Sequence, residues 1–137
     1  MVAAGSVLGS GGIRVAEVTI PTAEVLTLNG TPVVVVPAPG VGRANIILDV
    51  IASVAFASAA YATNTSLTVG YGGTGILTIT GILAATSSKV AMAAGTVAAV
   101  ATATAQNAAI VASVATGNPA TGDSPVTITV LYTTVNL

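Results

Sequence analysis

The chain has 137 residues and a formal charge of −1, with three basic and four acidic side chains and neither histidine nor cysteine. That excludes cysteine or histidine catalysis, Cys/His metal sites and electrostatic nucleic-acid binding, which draws on many Lys and Arg contacts to phosphate. Hydrophobic residues make up 53% of it but charged ones only 5%, against about 25% in an average soluble protein.

Residues 1–12 are rich in Gly, Ser and Ala and are expected to form a flexible arm. Residues 13–137 then form one domain of ordinary size. The arm has neither the basic start nor the compact apolar centre of a secretory signal. In the strand predicted next, Ile13 and Val15 fall on one face and Val18 and Ile20 on the other. A bulge or face change is therefore expected near Ala16, and Pro21 ends the strand. Val25–Leu28 reads as a second short strand, with Asn29-Gly30 as a hairpin signal. Val33–Val36, four β-branched residues between Pro32 and Pro37, is strand by preference. Pro37 to Gly42 is loop.

Ala44 to Ala57 is the longest β-capable stretch, with Ile46, Leu48 and Val50 alternating with Ile47, Asp49 and Ile51. Apolar residues on both faces suit a strand inside a sandwich. Leu67–Tyr71 and Ile76–Ile79 make a hairpin around Gly72-Gly73-Thr74-Gly75. From Ile82 the best helix formers gather, with Thr86 or Ser87 as cap and Gly95 as stop, so one short helix is predicted over about 86–94. Residues 96–104 read as strand or irregular chain. Ala108–Val114 is a strand, and Val126–Val135 is the clearest one, with Val126, Ile128, Val130 and Tyr132 on one face and Thr on the other. Short strands at regular spacing predict an all-β fold, an antiparallel β-sandwich or jelly-roll-like domain.

No membrane partner is expected. The uncharged stretch 50–88 is broken by Asn64, Thr65, Ser66, Thr68 and the cluster Gly70, Gly72, Gly73 and Gly75, and one Phe and three Tyr cannot supply the aromatic girdles of a transmembrane barrel. No cofactor, metal or catalytic residue is expected either. The acids Glu17, Glu24, Asp49 and Asp123 are not paired by spacing. Arg14 and Glu17 sit three apart in one strand, hence on opposite faces. Asp123, before Ser124-Pro125, reads as a turn residue. Asp49 interrupts an apolar strand, so it either faces solvent or an interface edge, or takes Arg43 or Lys89 as partner. The glycines at 70–75 precede a strand without a nearby lysine, which does not suit a phosphate loop. Tyr61, Tyr71 and Tyr132 are either core residues or part of a sugar-binding face. With so few charges the surface must be Thr, Ser, Asn, Gly and Ala, which suits a protein that stays packed in an assembly. Arg14, Glu17, Arg43, Asp49 and Lys89 are the candidate assembly contacts.

The run Arg14-Val-Ala-Glu-Val-Thr-Ile-Pro-Thr-Ala-Glu-Val-Leu-Thr-Leu-Asn29, then Pro37-Ala-Pro-Gly40, Phe56–Tyr61 and Gly117–Pro125, resembles small structural proteins of tailed bacteriophages, over roughly residues 14–136. The resemblance implies a capsid cement (decoration) protein of the virion, not an enzyme. Such a protein would be a β-rich homotrimer on the outside of the phage head, clamping neighbouring major capsid subunits. The chain is poorer in charge than that pattern, which weighs against attachment by ion pairs. The competing expectation is a head-fibre, tail-fibre or baseplate β-domain that touches host sugars through the tyrosines.

Overall fold

The computed structural model describes residues 12–94 and 99–137. The arm read over residues 1–12 and the helix stop read at Gly95 lie outside them, apart from Gly12. Among the described residues are eight strands: β1 (Arg14–Ile20), β2 (Val33–Val36), β3 (Arg43–Val54), β4 (Leu67–Tyr71), β5 (Thr74–Ile79), β6 (Lys89–Ala94), β7 (Ile110–Val114) and β8 (Val126–Asn136). They form two four-stranded sheets, ordered β1-β8-β3-β6 and β2-β7-β4-β5. Every pairing is antiparallel.

The order has a simple logic. β1 pairs with β8, β2 with β7, β3 with β6 and β4 with β5, so the chain is one long hairpin rolled up on itself. Two further pairings, β3 with β8 and β4 with β7, join the rolled halves into complete sheets. This is the winding of a jelly roll.

Period-two patterning decides which face is buried. On β8 Val126, Ile128 and Val130 are fully buried, while Thr127 and Thr129 point away from the core. Each such aliphatic side chain contributes about 1.5–3 kcal/mol of burial free energy. β3 supplies Val50, Ala52 and Val54 to the same layer, and the facing sheet supplies Leu67, Val69, Leu77, Ile110 and Val114. Tyr61 and Tyr71 belong to this core, and each buried hydroxyl donates to a backbone carbonyl, of Ser124 and Asn45 respectively.

Three local expectations are corrected. β1 carries no bulge: its register with β8 runs unbroken from Arg14 to Ile20. Ala16, Val18 and Ile20 turn inward, and Ile13 and Val15 simply face outward, 69% and 64% exposed. Val25–Leu28 is not a strand and Asn29-Gly30 closes no hairpin. Thr22–Val25 is a helical turn after Pro21, and the three-residue spacing of Val25 and Leu28 sends both into the core. The helix predicted over 86–94 is absent; a 3-10 turn occupies Ile82–Ala84 and β6 runs from Lys89 to Ala94. Backbone pairing with the free edge of β3, from Val54–Lys89 to Asp49–Ala94, outweighs the modest helix preference of the alanines. Within 96–104, the described residues include a second short helical turn, Thr102–Ala105.

Candidate assembly surface

The outer face of the β1-β8-β3-β6 sheet carries Val15, Val90 and Met92, with Ile13 beside it, four of the eight large exposed apolar side chains among the described residues. Strand registers align them in rows: Val15, Leu131 and Asp49; then Glu17, Thr129, Ile51 and Met92; then Thr19, Thr127, Ser53 and Val90. Met92 is 69% and Val90 66% exposed, on the free edge strand, because Ala91 and Ala93 take the inward positions. Val15 and Ile13 expose comparable surface at the opposite edge. Between the edges, β8 and β3 present Thr127, Thr129 and Ser53 together with Leu131, Ile51 and Asp49. Thr19 and Thr127 share a hydrogen bond of 2.9 Å.

Both acids on this face are held by the sheet itself. Glu17 accepts a 3.2 Å hydrogen bond from the Thr129 hydroxyl. Asp49 sits at a bulge, where the pairing of β3 with β8 slips between Ile47 and Asp49, and its carboxylate accepts the N–H of Val50 at 2.8 Å. The carboxylate thus serves a backbone donor of its own strand beside the irregularity. Apart from Glu17 and Asp49 the face is built of aliphatic and hydroxyl side chains, which cost far less to dry than ions do.

The five candidate contacts do not form one cluster. Arg14 and Glu17 lie on opposite sides of β1, as their spacing requires. Arg14 and Arg43 line a cleft at the end of the sandwich where β1 begins, together with Asn45, Tyr132 and Thr134. Lys89 is exposed at the start of β6, opposite Val54, at the other end of the sheet. Asp123 is there too, and its bonds reach across the fold rather than around its own turn. Its carboxylate accepts the N–H groups of Ser58 and Ala59 at 3.0 and 2.9 Å and the Ser58 hydroxyl. These donors hold its pKa down at about 2, against an ordinary 3.8.

Sequence reasoning missed Val90 and Met92, which it placed in a helix. The signal was present: large residues at 90 and 92 alternate with alanines at 91 and 93. Two of the three tyrosines proposed for a sugar-binding face are core residues. Among the described residues no cluster of three or more Asp and Glu stands close enough to hold a metal ion. No helix among them is long and apolar enough to cross a membrane.

Comparison with solved structures finds the same fold in a chain described as part of the "Cyanophage Pam1 capsid asymmetric unit", with a TM-score of 0.56, 23% identity, and coverage of 90% of this chain and 86% of that one. The likeness is one of fold. The two coverages make the chains nearly equal in length. No protein-family model matches the sequence, and no curated protein does.

Proposed function

We propose that the protein is a non-enzymatic structural component of a phage virion, a cement protein that seats on the outside of the head as a homotrimer and ties major capsid subunits together. The observation that carries this reading is the outer face of the β1-β8-β3-β6 sheet: exposed apolar side chains at both rims, aliphatic and hydroxyl side chains mixed between them, and two carboxylates already bonded within the sheet. The shared fold with a chain of a phage capsid unit, of nearly the same length, supports it. So does the resemblance of several short segments to small phage structural proteins.

The mechanism is mass action on the closed shell. A partner that binds only the intact arrangement of subunits raises the free energy needed to open it. Burying apolar surface contributes roughly 25 cal/mol per Å² before the cost of association is subtracted. A closed threefold ring presents that surface to several subunits at once. Because the face carries so few free charges, apolar attachment through it should persist in high salt.

The test is to heat phage shells prepared with and without the chain, and to follow release of packaged DNA. Release at a higher temperature when the chain is present supports a cement role; identical release curves with the chain bound would overturn it.

A further inference from the structure

The cleft at the end of the sandwich has a volume of about 220 Å³. It opens where β2 gives way to the Pro37–Gly42 loop on one side and where β1 begins and β8 ends on the other. Arg14 is the cross-strand neighbour of Tyr132, and Arg43 of Asn136. The floor is already fully bonded. Asn45, 2% exposed, donates to the Pro37 carbonyl at 3.1 Å, its side-chain oxygen accepts the Thr134 hydroxyl at 2.8 Å, and its backbone oxygen accepts the Tyr71 hydroxyl at 2.5 Å. The groups left to engage a ligand are the two guanidiniums and the Tyr132 side chain.

Two of the chain's three cations therefore share one small cleft, and among the described residues no carboxylate lines it. All four acids of the chain are placed elsewhere. Glu17 and Asp49 lie on the outer face and are bonded there. Asp123 is tied to the 58–59 segment at the opposite end, and Glu24 is exposed on the helical turn that follows β1 at that same end. In a chain this poor in charge, placing two arginines together without an acid is a specific arrangement. The planar guanidinium fork matches a carboxylate in a bidentate way that an ammonium does not.

We propose that this cleft is a carboxylate-acceptor site, which takes an Asp or Glu side chain of the protein on which the domain seats. The identity of that protein rests on the shell-binding reading above; the chemistry of the site does not. A second copy of this chain is a poor donor. Three of its four acids, Glu17, Asp49 and Asp123, already accept hydrogen bonds within their own fold, which leaves it Glu24 alone to offer.

Two measurements separate the site from the reading it rests on. In the first, the full-length chain is titrated with glutarate, and the arginine Nε and Tyr132 ring signals are followed by NMR. Shifts of both sets, absent in the Arg14→Gln/Arg43→Gln variant, support the site. Silence, or shifts with inorganic phosphate that exceed those with glutarate, would overturn it. In the second, binding to shells lacking the chain is measured across a salt series. The double variant should bind on the order of 10- to 100-fold more weakly at low salt and lose the wild-type salt dependence, whereas the neutral Met92→Gln should weaken binding at every salt concentration with the slope unchanged. A double variant with wild-type affinity and slope contradicts the proposal. So does self-association of the free chain that Glu24→Gln abolishes. Glutarate binding by a chain that never binds shells would sink the shell reading and leave the site standing.

Discussion

Asn45 is the most heavily bonded side chain of the interior, and it fixes the end of the sandwich at which the arginines meet. Its two side-chain bonds join β3 to β8 and to the start of the Pro37 loop, and its backbone carbonyl, accepting the Tyr71 hydroxyl, joins β3 to the facing sheet. A buried polar group that loses a partner keeps its full desolvation penalty. Tyr71→Phe should therefore cost about 1–3 kcal/mol, read as a lower urea midpoint with an unchanged slope. An unaltered midpoint would show the bond to be worth nothing net. Asp123 makes a different prediction, in pH. Its folded pKa lies near 2, below the ordinary 3.8, so the bonds it accepts favour the folded state above the higher value. That contribution is lost as pH falls from 3.8 towards 2. In Asp123→Asn the melting temperature should start lower and decline less across this window than in wild type. Parallel curves would contradict the assignment. Little of this was legible in the sequence. Asp123 read as a turn residue because Ser124-Pro125 follows it, but its acceptor role depends on a segment 65 residues away. Asn45 went unnoticed because an isolated Asn in an apolar strand carries no sign of which neighbours will satisfy it.

At the scale of elements, alternation and turn chemistry foretold most of the strands, and failures came where small residues blur the period. β8 and the β4–β5 hairpin were readable because large aliphatic and Thr residues alternate and glycines mark the tip. β6 was not. Alanine favours helix locally yet fits the inward positions of a crowded edge strand, and only the presence of an unpaired β3 edge decides between them. The turn at Thr22–Val25 was misread for a related reason, since Val25 and Leu28 fit either period over so short a run. Gly70 shows what the hairpin demands. The pairing of β4 with β5 slips between Val69 and Gly70, and a Cβ at Gly70 would overlap the Thr74 carbonyl oxygen and come within 2.8 Å of the Gly75 and Ile76 backbones. Gly70→Ala should destabilise the fold by about 1–3 kcal/mol or more, through overpacking against backbone that cannot move aside. Thermal unfolding checks this; a melting temperature equal to wild type would mean that the hairpin relaxes without cost.

On the scale of the molecule, the composition foreshadowed a neutral surface but not its arrangement. Which face stays exposed depends on the strand order β1-β8-β3-β6, and that order is a property of the rolled hairpin rather than of any one segment. The result is a sheet with apolar rims on two edge strands, β1 and β6, and two arginines lining one cleft at its end. Met92 and Val90 are exposed in the free chain, so replacing them should leave its stability within about 0.5 kcal/mol of wild type. Met92→Lys should nevertheless reduce occupancy on shells, as counted by mass spectrometry of washed particles. Undiminished occupancy would move the assembly surface elsewhere.

Counting copies of the chain in purified particles is the measurement on which the proposed role in a phage head turns. A cement protein should be present at a ratio on the order of one chain per major capsid subunit, seated as trimers. A handful of copies in the whole particle would contradict it and identify the chain with a fibre or tail component instead.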